Sequence, residues 1–163
     1  MGEEEGERAK RWLQSVVSKP KGHGSSSREV GDGGFFNALT LWDLRVSFTH
    51  AGRALCSFRV PAHLTDADGN WISGAMSTVI DLVGAAAILS EGGNLKVSAN
   101  MDITYLSPAR IDDEVEVDAR VLGHKGRVSA VAVELRKKGS GEMVALGKLW
   151  MASGRPLGKS SKL

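Results

Sequence analysis

Gly74-Ala75-Met76-Ser77-Thr78-Val79-Ile80-Asp81-Leu82-Val83-Gly84-Ala85-Ala86-Ala87-Ile88-Leu89-Ser90 reads as one helix that is apolar almost all the way round. That is the pattern of a helix buried on every side. Between Asp68 and Glu91 the only ionisable side chain is Asp81. A lone carboxylate in such a helix costs several kcal/mol unless it is paired, hydrogen-bonded or protonated. Two readings follow. Ser77 or Thr78, one turn back on the same face, satisfies it, or Asp81 is a functional carboxylate.

Outward from the helix, the chain is strands. On the N-terminal side Trp42, Leu44, Val46 and Phe48 alternate with Asp43, Arg45, Ser47 and Thr49, which predicts a half-buried strand starting near Leu41. His50-Ala51-Gly52-Arg53 turns the chain into a second strand, Ala54 to Val60, ended by Pro61. Cys56, the one cysteine, falls on its apolar side as a small core residue and excludes an internal disulfide. After the helix, Glu91-Gly92-Gly93-Asn94 is a glycine-type stop. Leu95 to Leu106 is then the clearest strand, with Val97, Ala99, Met101, Ile103 and Tyr105 on one side and Ser98, Asn100, Asp102 and Thr104 on the other. Three more strands follow, over Val115 to Val121, Arg127 to Lys137 and Met143 to Met151, joined by the turns Gly123–Gly126 and Gly139–Gly141. The order predicts an α+β fold in which an antiparallel sheet curls around one long central helix.

Residues 1–18 read as an amphipathic helix with Trp12, Leu13, Val16 and Val17 on one stripe, and 19–34 as a flexible linker with Pro20 and five glycines. Residues 35–152 make the domain, and 153–163 a basic, flexible tail. The tail ends Ser161-Lys162-Leu163, the form of a receptor-read peroxisomal signal, so the expected location is the peroxisome and the import receptor an expected partner. With 163 residues, 21 basic and 19 acidic side chains and a net charge of +2, the chain fits one domain and is not built to bind nucleic acid. No apolar run has transmembrane length, so a soluble protein without membrane association is expected.

Metal chemistry finds no support in the spacing: His23, His50, His63 and His124 are scattered, and none forms a His-x-x-x-His pair. No nucleophile elbow, phosphate loop or dinucleotide fingerprint is present, and no cofactor is required. A carboxylate near a helix start can instead act as general base toward water, or attack a thioester directly. Free N–H groups over Ser73 to Ser77 could hold a developing oxyanion.

Ser77-Thr78-Val79-Ile80-Asp81-Leu82-Val83-Gly84 and Ser98-Ala99-Asn100-Met101-Asp102-Ile103-Thr104-Tyr105-Leu106-Ser107-Pro108-Ala109-Arg110 carry a resemblance. The chain resembles hotdog-fold acyl-CoA thioesterases of the phenylacetate-pathway type, nearest to the subgroup of thioesterase superfamily member 2, also called acyl-CoA thioesterase 13. The likeness runs from about Phe35 to Ala152. It implies a homodimer or homotetramer with sites at the dimer interface. One subunit then supplies a helix-start N–H and an Asn to hold the thioester oxygen, and the other a carboxylate and a Ser that handle water. Carried over by position, the carboxylate is Asp81, the serine Ser98, and the helix-start N–H falls at Ser73 with Gly74 beside it.

Two positions depart from that pattern. The usual His-Gly-Gly is here Ile72-Ser73-Gly74, and the usual Asn lands on Asp66, which when ionised cannot donate. Asn70 is nearby, on a different loop path. The leading expectation is an acyl-CoA thioesterase, since a backbone amide needs no particular side chain. The alternatives are a non-catalytic acyl-CoA binder and a hydratase or dehydratase, against which the missing histidine counts. Ser98 is ambiguous: its alternation puts it on the polar side, so it is a surface serine, or faces a partner, or is re-aimed by a bulge. His124, Lys125 and Arg127 in one turn, with Arg110 elsewhere, are the cations offered to the phosphates of a CoA-type substrate.

Overall fold

The computed structural model describes residues 2–17 and 34–153. The predicted linker up to residue 33 and the Ser161-Lys162-Leu163 end lie outside the described residues. The elements run α1 (Gly2–Val17), α2 (Gly34–Thr40), β1 (Arg45–His50), β2 (Arg53–Arg59), a single 3-10 turn (Ala62–Leu64), α3 (Ser73–Leu89), β3 (Val97–Tyr105), β4 (Glu114–Lys125), β5 (Val128–Lys137) and β6 (Met143–Ala152).

Six strands form one antiparallel sheet in the order β1-β2-β4-β5-β6-β3. It wraps α3, as expected of the hotdog fold. Val79, Ile80, Val83, Ala86 and Ala87 of α3 are sealed against Phe58, Val117, Val131, Val133 and Leu149 from four strands. The approach is close enough that a Cβ on Gly147 would sit 2.6 Å from Ile80 Cγ2. α1 lies against β1: Thr49 Oγ1 donates to Gly6 O at 2.8 Å, and a Cβ on Gly6 would collide with the Thr49 carbonyl. Ala9 and Leu13 of α1 are buried.

Besides a later start to the first strand, three departures from the expected pattern occur, each an extra residue in a strand. The first strand begins at Arg45, because α2 and a turn occupy the residues before it. Its register with β2 slips at Ser47, so Val46 faces the core, Phe48 turns outward (43% exposed), and Thr49 points in to meet α1. In β3 the slip falls at Ala99: Ser98 stands opposite Met151, and Asn100 opposite Trp150. Met151 is buried and Trp150 exposed, so Ser98 faces α3 while Asn100 faces out. In β4 the slip at Leu122 carries the strand on to Lys125, with His124 opposite Ser129. His124 therefore belongs to a strand, not to the predicted turn.

On the outer face Asp118 of β4 takes two hydrogen bonds from Arg53, both 2.9 Å, and a 2.6 Å one from Arg120. Burial by itself would raise its carboxyl, but the hydrogen bonds from Arg53 and Arg120 outweigh that and hold it below the ordinary carboxylate value.

Candidate active site

Asp81 sits midway along α3, half-buried, and the Ser98 hydroxyl donates a short hydrogen bond to its Oδ1. The bulge at Ala99 makes this possible; without the extra residue Ser98 would point away from the helix. The neighbours expected to satisfy Asp81 are otherwise engaged. Ser77 Oγ and Thr78 Oγ1 both bond back to the Gly74 carbonyl, at 2.8 and 3.0 Å.

The start of α3 is a second functional feature. Ile72 supplies no side-chain cap. Ala75 and Met76 donate to Ile72 O, whereas the Ser73 and Gly74 amides have no acceptor among the described residues. Both residues are exposed, and the space over Gly74 is open to 4 Å. Free N–H groups at the positive end of a helix suit a developing negative charge. Tyr105, at the far end of β3, fixes this end of the helix by donating to Ser73 O at 3.2 Å.

One chain does not bring these two features together. Eight residues of helix separate Ser73 from Asp81, roughly 12 Å of rise. Ser98 belongs to the beginning of β3 and Tyr105 to its end, so the Asp81–Ser98 pair and the two free amides lie toward opposite ends of one edge strand.

Asp66 is exposed and organises its own loop. Its Oδ1 accepts from the Asp68 and Asn70 amides at 3.0 and 2.8 Å, and Oδ2 faces Asn70 Nδ2 at 3.4 Å. The Asn70 backbone bond leads the contacts that hold its carboxyl below the usual value. The loop is tied to the chain after β3 by an Asn70–Arg110 bridge. Arg110 is thus near the start of α3. His124 is at the other end, its Nε2 2.8 Å from Glu91 Oε2 and its Nδ1 2.6 Å from Ser129 Oγ. Lys125 and Arg127 are exposed beside it, and Arg127 donates to Ser153 O at 2.7 Å. The four cations do not form one patch within a protomer. Among the described residues no cluster of His, Cys, Asp and Glu could hold a metal ion, and no helix is long and apolar enough to cross a membrane.

A family model described as the thioesterase superfamily matches residues 68–144, from the Asp66 loop to the start of β6. Acyl-coenzyme A thioesterase 13 from Homo sapiens is 32% identical over 98 residues, which cover 60% of this chain and 70% of that relative. The chain belongs to the thioesterase superfamily. Among solved structures, thioesterase superfamily member 2 from Mus musculus is 26% identical, with a TM-score of 0.68 over 80% of this chain and 100% of that one. The zebra fish thioesterase superfamily member 2 has a TM-score of 0.75 over 91% of this chain and 97% of its own, at 22% identity, a likeness of fold.

Two features of this thioesterase-superfamily chain escaped sequence reasoning. Tyr105 is the only tyrosine and ends the clearest strand, a signal available but unread. Ser129 heads the inward stripe Ser129, Val131, Val133, Leu135 as its one polar member, fully buried. A polar side chain there requires a partner.

Proposed function

We propose that this protein is an acyl-CoA thioesterase, hydrolysing an acyl-CoA thioester to the free acid and CoA at a site shared by two protomers. The observation that carries the reading is the Asp81–Ser98 pair standing at one end of an edge strand whose outer side is unpaired within the protomer, with the free Ser73 and Gly74 amides at the other. Two β3 strands pairing antiparallel about a two-fold axis place the end of one beside the beginning of the other. Each Asp81 then faces the partner subunit's Ser73 and Gly74. The exposed apolar side chains Val97, Tyr105 and Leu106 on and after this strand favour such burial. The dimer is the working unit, and a tetramer is its doubling.

In the reaction Asp81 takes a proton from a water that Ser98 helps to hold. The water oxygen bonds to the thioester carbonyl carbon, and the oxyanion rests on the partner's Ser73 and Gly74 amides. Collapse breaks the C–S bond, and the proton held by Asp81 goes to the departing thiolate. Backbone donors fit the loss of the helix-start histidine, since they do not depend on Ile72. Asp66 serves the site through the loop it holds. Lys125, Arg127 and Arg110 offer positive charge to the phosphates of CoA, with His124 set behind them.

Thiol release from a panel running from acetyl-CoA to palmitoyl-CoA tests the reading. The parent turns over at least one, and Asp81→Asn lowers kcat by about a thousandfold with CoA binding and dimer mass retained. Binding without thiol release in the parent overturns the reading in favour of a non-catalytic acyl-CoA binder. A monomeric mass by light scattering at micromolar concentration overturns the shared site. Location is a separate proposal: Ser161-Lys162-Leu163, when free as a C-terminus, directs the chain to the peroxisome through the import receptor. A fluorescent fusion that leaves this end free becomes punctate, and a diffuse signal refutes the location.

A further inference from the structure

Beside the reacting pair runs a second polar chain. Lys96 Nζ lies 2.6 Å from Ser129 Oγ, Ser129 Oγ 2.6 Å from His124 Nδ1, and His124 Nε2 2.8 Å from Glu91 Oε2. With His124 neutral, one assignment of protons satisfies every link. Lysine can only donate, so Ser129 accepts from it and gives its own hydroxyl proton to His124 Nδ1; His124 then donates from Nε2 to Glu91. With His124 protonated, Ser129 accepts from both Lys96 and Nδ1, and the links hold as well. The chain joins the residue before β3, the buried start of β5, the end of β4 and the residue after the C-terminal cap of α3.

Its place in the sheet gives it a purpose. Ser98, Met151 and Ser129 stand in register across β3, β6 and β5, all facing α3. Lys96, two residues before Ser98 and on the same face, reaches past β6 to Ser129. Within one protomer little else holds this part of β3. It is an edge strand with one neighbour, its ladder is interrupted at Ala99, Val97 is 65% exposed, and two glycines with positive φ, Gly92 and Gly93, precede it. Among the described residues the side-chain hydrogen bonds made from residues 94–99 are those of Lys96 and Ser98.

Resting on the thioesterase reading of Asp81 and Ser98, we infer that Lys96, Ser129, His124 and Glu91 are positioning residues that hold the β3 bulge and so keep the Ser98 hydroxyl on Asp81. None of the four touches the reacting atoms in this scheme. They act through Ser98.

That route sets the test, a double-mutant cycle on the full chain with hexanoyl-CoA, or whichever panel member the parent cleaves fastest, as probe. Ser129→Ala removes the hub at almost constant volume and lowers kcat about tenfold with KM unchanged. Lys96→Met gives the same loss, and Lys96→Arg, which keeps a donor, restores the rate. In a Ser98→Ala background Ser129→Ala has no further effect, because the group it positions is gone. A parent-like kcat in Ser129→Ala, or an equal tenfold loss in both backgrounds, overturns the inference while leaving the site reading standing. A parent-like rate in Ser98→Ala alone overturns the Ser98 part of that reading, and this inference with it.

Discussion

The Tyr105 hydroxyl donates to the carbonyl of Ser73, tying the last residue of β3 to the first residue of α3. The same strand, seven residues earlier, delivers Ser98 to Asp81. A single edge strand thus indexes both Asp81 and the helix start. Tyr105→Phe removes the tie and leaves the ring. Its expected effect is a severalfold fall in kcat and a loss of stability of about 1 kcal/mol. Steady-state kinetics beside urea unfolding separate the two; an unchanged kcat means the helix start holds its place unaided.

Asp66→Ala and Asp66→Asn should part company. Alanine removes the acceptor for the Asp68 and Asn70 amides, freeing the loop that leads to α3. Asparagine keeps an acceptor oxygen and adds a donor. The expected order of kcat is Asn at or above the parent and Ala roughly fivefold below it. Faster hydrogen exchange at residues 68–70 in the alanine variant alone would confirm the cause.

Gly147→Ala reports on the seat of α3. The added Cβ meets Ile80 Cγ2, an atom fixed to its own Cβ on a fully buried side chain, so relief requires moving the helix or the strand. Overpacking of this kind costs about 1–3 kcal/mol, read as a lower urea midpoint at unchanged slope.

The Asp118 cluster sets a pH dependence. Its carboxyl is held below the ordinary value in the folded chain, so its contribution is fully present above the unfolded value of about 3.9. It is lost as pH falls through the folded value. Asp118→Asn therefore lowers Tm at neutral pH, and the gap from the parent closes as pH drops below about 4. A gap that is constant with pH would show that ionisation of Asp118 plays no part.

The central helix was legible because its apolarity has no surface face, and Asp81 because a lone charge stands out in such a run. Six strands were legible from alternation. What alternation cannot carry is a count that changes inside a strand. Single extra residues at Ser47, Ala99 and Leu122 turned Phe48 outward, Ser98 inward and His124 onto Ser129. Each is fixed by pairing with a strand distant in sequence, so no local window contains it. The departures Ile72 and Asp66 were visible at once. That Asp66 spends its acceptors on its own loop is a matter of backbone path, which composition does not encode.

The packing of α1 on β1 has a consequence for growth. A sheet with two bare edges can add copies at both and run on as a ribbon. Here Gly6 lets a helix settle against the backbone of one margin, so only the β3 margin stays open to a twin. Joined there about a two-fold axis, the pair shows α1 at both extremities and has no margin left to extend. On that proposed pairing the N-terminal helix is a terminator: it makes association through the sheet stop at two.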